Sequence, residues 1–176
     1  IININTVTPI MINRDEIIFI PDKNLGEYVA SRLPNKRFIF HDGFCPTHKK
    51  ITLSSIQKVR AALKNAKVLV HPECTLEVIE SADFVGSTSQ IINYVKDSQA
   101  DDFIIGTESG IFHKLEKLKS GKRFYSPFCG VLCPDMKKTT LENICLALEN
   151  EQNKIEVDKK TACAAFNAID KMLALK

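Results

Sequence analysis

Short apolar runs rich in β-branched and aromatic residues alternate with helix-forming segments along most of the chain. A strand followed by a helix and then by another strand is typical of parallel sheets covered by helices. The apolar runs lie at residues 16–20, 37–40, 68–70, 83–86, 103–106 and 122–125. Helices are predicted at 24–33, 54–65, 75–81, 87–97, 139–150 and 161–175. A further helix is predicted from 110 and ends at Ser120-Gly121. The sequence therefore predicts an α/β fold, in which the run at 16–20 is a buried strand. The first five residues also resemble a strand.

Composition and charge exclude several classes of protein. The 176 residues carry a net charge of +3 and their lysines are scattered, which argues against a nucleic-acid partner. We expect no membrane association and no secretory signal, because no apolar run approaches the length needed to span a bilayer and no basic segment precedes an apolar one at the start. Six irregularly spaced cysteines favour a reducing, cytoplasmic location, with thiols used for packing or metal binding.

Two neighbouring strand ends carry the residues best suited to bind a ligand. His71 and Glu73 follow the apolar run at 68–70, at the edge where open parallel sheets bind their ligands. An imidazole beside a carboxylate supplies a proton donor and an acceptor at one place. Ser87 and Gln90 have the spacing of a capping box, so the N-terminus of the helix they open favours an anion. The alternative is that His71 and Glu73 only brace a turn.

A repeated sequence pattern, called the internal echo below, links two cysteine loops. Lys36-Arg37-Phe38 and Lys122-Arg123-Phe124 stand 86 positions apart, and Cys45-Pro46 and Cys133-Pro134 stand 88 apart. The same strand–helix–strand–Cys-Pro unit thus occurs twice, and repeated units that pack about a common axis bring equivalent loops together. We therefore expect Cys45 and Cys133 to meet. The alternative is an accidental match between two ordinary units.

Those two thiols do not complete a metal site by themselves, because zinc structural sites take four ligands and iron–sulfur clusters take mostly thiolates. Cys74 and Cys129 are candidates for a third thiolate, since both lie near the loops. Cys145 and Cys163 are predicted to be buried packing residues on apolar helix faces. His48, three residues after Cys45, is a candidate metal ligand, a candidate hydrogen-bond donor to a ligand, or a candidate substrate contact.

Residue spacing also predicts where two helices begin. Asn24 and Glu27 have the spacing of an N-cap and its third helical residue. Thr139 and Glu142 have the spacing of a capping box. We therefore expect the helices to start just after Asn24 and Thr139. His41 and His113 are interpreted as surface or helix-face histidines.

Six short motifs together resemble the quinolinate synthase family, the iron–sulfur enzymes of NAD biosynthesis. Their order and spacing follow the family from about Glu16 to the C-terminus. The motifs are Pro21-Asp22-Lys23-Asn24-Leu25-Gly26, Gly43-Phe44-Cys45-Pro46-Thr47-His48, His71-Pro72-Glu73-Cys74, Val85-Gly86-Ser87-Thr88-Ser89, Gly106-Thr107-Glu108-Ser109-Gly110 and Cys133-Pro134-Asp135-Met136-Lys137.

The resemblance implies a fold and an activity. Family members have three similar αβα units around a pseudo-threefold axis, and each unit donates one cysteine to a [4Fe–4S] cluster with one open iron. They condense iminoaspartate with dihydroxyacetone phosphate, losing phosphate and water, to give quinolinate, and the open iron acts as a Lewis acid.

The resemblance also implies roles for particular residues. Cys45 and Cys133 would be two cluster ligands. His71 and Glu73 would contact the substrate, with Glu73 moving protons. The pair Ser87-Thr88 would hold a substrate carboxylate, with His48 near the cluster and the substrate.

Family members are longer at the N-terminus, so we expect this chain to lack the first unit with its third cluster cysteine and further acid–base groups. The expected organisation is the remainder of the second unit at 1–55, the third unit at 56–137 and packing helices at 138–176. Asn5 receives no role. Two alternatives remain. The first is a fragment that is inactive or acts only with a partner, such as the missing unit or further copies in a homo-oligomer. The second is a thiolate zinc module built on Cys45, Cys129 and Cys133.

Overall fold

The computed structural model describes residues 14–118 and 121–174. They divide into two compact units, residues 14–132 and residues 133–174. The strand predicted at residues 1–5, together with Asn5, lies outside the described residues, and so does Ser120. No helix in the described ranges has both the length and the apolar composition that crossing a membrane requires.

The first unit begins with a small parallel sheet and continues with a larger one. Strands β1 and β2 form the first sheet, with α1 between them, and the order of the second sheet is β4-β3-β5-β6, with all neighbours parallel. The elements of this unit are β1 (Glu16–Phe19), α1 (Lys23–Ser31), β2 (Arg37–Phe40), α2 (Pro46–Lys49), α3 (Leu53–Ala62), β3 (Lys67–Val70), α4 (Leu76–Glu80), β4 (Phe84–Val85), α5 (Thr88–Asp97), β5 (Asp102–Gly106), α6 (Gly110–Glu116) and β6 (Arg123–Tyr125). The predicted α/β class with parallel sheets flanked by helices is confirmed.

The centre of the larger sheet supplies the core of the first unit. The apolar residues of β3 and β5 are fully buried, as expected of parallel strands covered on both faces. Helices α5 and α6 cover one face, where the core consists of Leu69, Ile91, Val95, Phe103, Ile105, Ile111 and Leu115. Burying one such side chain contributes roughly 1.5–3 kcal/mol. The carboxyl ends of β3 and β5 are therefore held on a rigid frame.

The prediction that the run at 16–20 is a buried strand is wrong for one of its two faces. Ile17 and Phe19 are buried, but Ile18 is 75% exposed and Ile20 lies beyond the strand. Alternation along a strand directs successive side chains to opposite faces. Among the described elements, α1 contacts the small sheet at β2, and the face that carries Ile18 stays open.

Two predicted helix starts are also wrong. The N-cap of α1 is Asp22, whose Oδ1 accepts the Leu25 N–H (2.8 Å). The 3₁₀ turn at Met136–Lys138 precedes a helix whose N-cap is Thr140 rather than Thr139. Asp, Asn and Thr all cap well, so where several stand together the spacing fits more than one start.

The second unit contains the 3₁₀ turn and two helices, α7 (Leu141–Glu149) and α8 (Lys159–Ala174). Cys145 and Cys163 lie on these helices and are exposed, so the prediction that they are buried packing residues is wrong. Neither helix contains a buried residue. An apolar stripe indicates which face of a helix can be buried, but it does not say what covers that face.

The internal echo appears in the structure as two equivalent strand pairs. In the first pair Arg37 of β2 lies opposite Glu16 of β1, and the two side chains form an ion pair. In the second pair Arg123 of β6 lies opposite Asp102 of β5, and its Nε and second terminal nitrogen bind the carboxylate at 2.6 and 2.7 Å. Both Lys-Arg-Phe segments thus lead into the second strand of a parallel pair.

Candidate functional site

The loop that follows β3 carries His71 and Glu73 and is held at both of its ends. The N–H of His71 donates to the carbonyl of Gly106 at the end of β5 (3.1 Å), and the N–H of Cys74 donates to the carbonyl of His71 (3.0 Å). Within the turn, the N–H of Glu73 donates to Nδ1 of His71 (3.3 Å). Because Nδ1 is the acceptor, the proton of a neutral His71 lies on Nε2.

The loop that follows β2 brings Cys45 and His48 to the same edge. Asp22, 5% exposed, connects this loop to α1 because its Oδ1 caps the helix while its Oδ2 accepts the N–H of Cys45 (2.7 Å). Cys45 is in turn the N-cap residue of α2, and His48 lies within that short helix. The side-chain amide of Asn24 in α1 donates to the carbonyl of Glu73 (3.1 Å), which joins α1 to the loop after β3.

The polar side chains of the two loops meet around His48. Its Nδ1 lies 3.0 Å from Oε2 of Glu73 and 3.2 Å from Sγ of Cys45. Its Nε2 lies 2.9 Å from Oγ1 of Thr107, a residue only 1% exposed. The ring of His48 also stacks on the ring of His71, with centroids 4.6 Å apart. A thiol, a second imidazole, a carboxylate and a hydroxyl therefore all contact the ring of His48.

The surroundings set the charge of these groups. The hydrogen bond with His48 lowers the pKa of the Glu73 carboxyl below its usual value, against the opposing effect of burial. Burial and the neighbouring His48 lower the pKa of His71, and these effects outweigh the attraction of Glu73. At neutral pH Glu73 is therefore a carboxylate and His71 is a neutral imidazole.

The pKa values of Cys45 and Cys74 are raised, whereas those of Glu73 and His71 are lowered. Burial raises the pKa of the Cys45 thiol, against the lowering effect of its backbone hydrogen bond with His48. Burial raises the pKa of Cys74 to about 12. The Cys74 thiol is completely buried and lies 3.6 Å from the Gly106 carbonyl. Cys74 is thus an inert packing residue, whereas Cys45 is partly accessible.

A cavity of about 310 Å³ opens beside this cluster. It is lined by Pro21, Asp22, Leu25, His71, Pro72, Glu73, Ser87 and Thr88. Ser87 is the N-cap of α5, and the predicted capping box is confirmed: Ser87 Oγ accepts the Gln90 N–H (3.4 Å), while Gln90 Oε1 accepts the Ser87 N–H (2.8 Å). The first-turn N–H groups of Thr88 and Ser89 remain outside the helical pattern and favour an anion there.

Most of the predicted site residues lie together in the first unit. His48, His71, Glu73 and Cys45 form the cluster, and Ser87 and Thr88 line the cavity that His71 and Glu73 share. Their roles stay predictions. Cys133 lies at the start of the second unit, where its carbonyl accepts the N–H of Lys137 (3.3 Å), and its meeting with Cys45 also stays a prediction.

Three residues that support the cluster were not predicted to do so. Asp22, Asn24 and Thr107 belong to the family motifs, and Asn24 was also predicted to be a helix cap, but no contact with the cluster was predicted for them. Thr107 directly follows β5, so the rule that singled out His71 after β3 also applies to it. Its partner His48 is 59 residues away along the chain, a separation at which local patterns carry no information.

The chain is similar to known proteins along nearly all of its length. The family model described as "NadA: Quinolinate synthetase A protein" matches residues 3–174. The chain is 47% identical to the quinolinate synthase of Alkaliphilus metalliredigens over 92% of its own length and 54% of the relative. It is 49% identical to that of Clostridioides difficile (90% and 52%) and 48% identical to that of Caldicellulosiruptor bescii (92% and 53%).

The chain therefore spans about half the length of the curated relatives that it matches. The match by the family model covers well over half of the chain, and it includes every residue of the cluster and of the cavity. On this basis the chain belongs to the quinolinate synthase family.

Proposed function

We propose that this chain acts in quinolinate synthesis, in which iminoaspartate condenses with dihydroxyacetone phosphate and phosphate and water are lost. The observation that carries the proposal is the cavity shared by His71, Glu73 and the N-terminus of α5, next to Cys45 and His48. A small cavity with proton-transfer groups on one side and anion-binding N–H groups on another suits a dicarboxylate substrate.

Each cavity residue has a role in this proposal. Ser87 and Thr88 at the start of α5 bind a carboxylate of the substrate. Glu73, which is ionised at neutral pH, accepts a proton from the bound substrate and returns it at a later stage. His71, a neutral imidazole whose Nδ1 accepts the Glu73 N–H, donates from Nε2 to a substrate oxygen. His48 orients Glu73 through the 3.0 Å contact.

The family uses a [4Fe–4S] cluster. The thiol of Cys45 is partly accessible and contacts Glu73, which lines the cavity. A thiol in this position suits a cluster ligand next to the substrate. We propose Cys45 and Cys133 as two of the ligands, with a third from outside this chain. When bound, the cluster supplies a Lewis-acidic iron.

The finer architecture belongs to the same proposal. We infer repeated three-layer αβα units, with residues 1–55 as the remainder of one unit, 56–137 as the next and 138–176 as helices that pack on them. The two equivalent strand pairs, each with an Arg-to-acid ion pair, support the repeat. A pseudo-threefold arrangement requires one more unit.

A second candidate is that the chain works only with a partner polypeptide. The observation that favours it is the open face of the small sheet, where the exposed Ile18 suits contact with a further polypeptide. In this form the chain supplies half of the site, and the partner supplies the third thiolate and further acid–base groups.

The test is anaerobic reconstitution with iron and sulfide, followed by detection of quinolinate by mass spectrometry. The chain is assayed alone and with a polypeptide that makes up the rest of the Clostridioides difficile relative. We expect the broad absorbance of a cubane cluster and quinolinate in the mixture. Glu73→Gln should lower the rate by about 10²–10⁴-fold, because the proton acceptor is lost.

Glu77→Gln, which changes an exposed carboxylate on the neighbouring helix α4, is the matched control and should leave the rate unchanged. A mixture that carries the cluster absorbance but forms no quinolinate would contradict the proposed reaction. A folded, colourless protein in the mixture would contradict the proposed ligands.

A further inference from the structure

We propose that Thr107 is a positioning residue for the reaction, because its hydroxyl holds the ring of His48 so that Nδ1 of that ring donates to the Glu73 carboxylate. This inference rests on the proposed function and adds a residue to which that function gives no role. Oγ1 of Thr107 lies 2.9 Å from Nε2 of His48, and Nδ1 of the same ring lies 3.0 Å from Oε2 of Glu73. The three side chains thus form a continuous hydroxyl–imidazole–carboxylate series.

The proton of each hydrogen bond in this series can be assigned from its acceptor. Glu73 is a carboxylate at neutral pH, because the hydrogen bond with His48 lowers its pKa, and a carboxylate only accepts. Nδ1 of His48 therefore carries the proton. In a neutral ring the other nitrogen has a lone pair, so Nε2 accepts and the Thr107 hydroxyl donates.

The ring of His71, which stacks on that of His48, has the opposite arrangement. Nδ1 of His71 accepts the N–H of Glu73 (3.3 Å), so its proton lies on Nε2. Two adjacent imidazoles therefore carry their protons on different nitrogens. Glu73 receives an N–H from one ring through its side chain and donates its backbone N–H to the other.

The backbone on both sides of Thr107 is fixed, which fixes the direction of its hydroxyl. The carbonyl of Gly106, at the end of β5, accepts the N–H of His71 (3.1 Å). On the other side, Oε2 of Glu108 accepts the N–H of Gly110 at the start of α6 (2.6 Å). A β-branched side chain has few χ1 rotamers, so a threonine on this backbone presents its hydroxyl in a set direction.

Burial distinguishes this series from a nucleophilic triad, in which the same order of groups activates a hydroxyl to attack the substrate. Thr107 is 1% exposed, and it is not among the residues that line the cavity of about 310 Å³. Glu73 does line that cavity. The end of the series that meets the substrate is therefore the carboxylate, and the hydroxyl is its buried support.

The series is compatible with Cys45 as a cluster ligand. Sγ of Cys45 lies 3.2 Å from the same Nδ1 of His48, and a thiolate, like a carboxylate, accepts a hydrogen bond. The χ2 angle of a histidine is only broadly restricted, so contacts at the ring select its orientation. A ring held by Thr107 presents one N–H toward both acceptors, and Cys45 remains available for the role that the proposed function gives it.

The first measurement locates the ring protons by long-range ¹H–¹⁵N NMR of the full chain at neutral pH, with the signals of His48 identified from His48→Gln. We expect the proton on Nδ1 of His48 and on Nε2 of His71. In Thr107→Val, which keeps the shape and removes the hydroxyl, the Nε2 signal of His48 should move downfield because that nitrogen loses its donor. Thr107→Ser should restore the signal.

A proton on Nε2 of His48 in the unchanged chain would overturn the inference. An Nε2 signal that stays in place in Thr107→Val would overturn it as well, since Thr107 would then not be the donor.

The second measurement is the rate of quinolinate formation in the reconstituted mixture. Thr107→Val should lower kcat by about 10–100-fold with little change in KM, because a displaced Glu73 impairs proton transfer more than binding. Thr107→Ser should keep most of the rate. In a chain that already carries His48→Gln, adding Thr107→Val should change the rate by less than about twofold, since the connection to Glu73 is already broken. Equal losses in both backgrounds would overturn the inference.

Thr75→Val is the matched control. Oγ1 of Thr75 is also buried, but it has no hydrogen-bond partner within the described part of the chain. Its loss should leave the ring signals of His48 and the rate unchanged, and an effect equal to that of Thr107→Val would overturn the inference. The two readouts also separate this inference from the proposed function. A mixture without quinolinate contradicts the proposed function, whereas the proton positions are measured without a cluster and decide the role of Thr107.

Discussion

Asp83 shows how a single carboxylate fastens the edge of the larger sheet. Its Oδ2 accepts the backbone N–H of Val68 (2.8 Å), and its Oδ1 lies 3.2 Å from Nζ of Lys67. Burial raises the pKa of Asp83. The Val68 hydrogen bond and Lys67 lower it by more than burial raises it, so the pKa lies below the ordinary value of 3.8. The carboxylate therefore joins the segment before β4 to the start of β3.

Replacement of this carboxylate should cost stability in a pH-dependent way. A group whose pKa is depressed on folding stabilises the fold above its unfolded pKa, and this contribution is lost as the pH falls through the folded value. Asp83→Asn should lower the free energy of unfolding by roughly 1–2 kcal/mol at pH 7. The difference between variant and unchanged chain should shrink as the pH falls below about 4.

Urea denaturation at pH 7 and pH 3 measures this effect. Asp15→Asn is the control, because the Asp15 side chain is fully exposed and pairs with Lys36 only at 3.5 Å, and it should change the stability by less than about 0.5 kcal/mol. A cost for Asp83→Asn that stays equal at both pH values would contradict the account.

At the scale of elements, α1 lies close to its sheet because Gly26 has no side chain. A Cβ at Gly26 would stand 2.8 Å from the ring of Phe40 and 2.9 Å from the ring of Phe19. Both distances are shorter than ordinary van der Waals contact. The position of α1 also determines that of Asp22, which caps the helix and holds Cys45.

Gly26→Ala should therefore destabilise the chain despite the better helix propensity of alanine. Overpacking costs about 1–3 kcal/mol, whereas the propensity gain is at most about 1 kcal/mol. A lower urea midpoint with an unchanged slope is expected. Ser31→Ala, at the exposed last position of the same helix, removes only the hydrogen bond from its Oγ to the Tyr28 carbonyl within that helix (2.7 Å). It should change the midpoint little. An increase in stability for Gly26→Ala would show that α1 is not tightly seated.

Much of the fold followed from the sequence because apolar runs and turn residues are local signals. The strand at Lys67–Val70 and the capping box of Ser87 and Gln90 both occur where their patterns predict. The start of α1 differs from its prediction, because Asp22 and Asn24 are both good N-cap residues. Asp22 also accepts the N–H of Cys45, 23 residues away. Local spacing could not show that contact.

In the candidate site, too, local patterns indicate some residues and long-range contacts determine others. His71 and Glu73 could be found because they follow a buried strand at the carboxyl edge of a parallel sheet. Thr107 follows another such strand, but its role depends on a side-chain contact with His48. The exposure of Cys145 and Cys163 was missed because an apolar helix face does not reveal what packs on it.

At the scale of the whole molecule, the described chain consists of two units, and the cluster and cavity belong entirely to the first. The chain spans about half the length of the relatives that it matches. What the first unit offers is a cavity lined by the N-terminus of α5, a carboxylate and an imidazole. Binding of a dicarboxylate at that cavity is therefore the claim on which the proposed function rests.

The most direct measurement is the shift of backbone amide NMR signals when quinolinate is added to the full chain. We predict that the signals of Thr88 and Ser89 move on titration, and that nicotinate, with one carboxylate, binds about tenfold more weakly. Ser54 and Ser55 lie in the first turn of α3, which has a capping box formed by Thr52 and Ser55. They serve as internal controls and should not move. Signals that stay in place at Thr88 and Ser89, or that move equally at Ser54 and Ser55, would contradict the account.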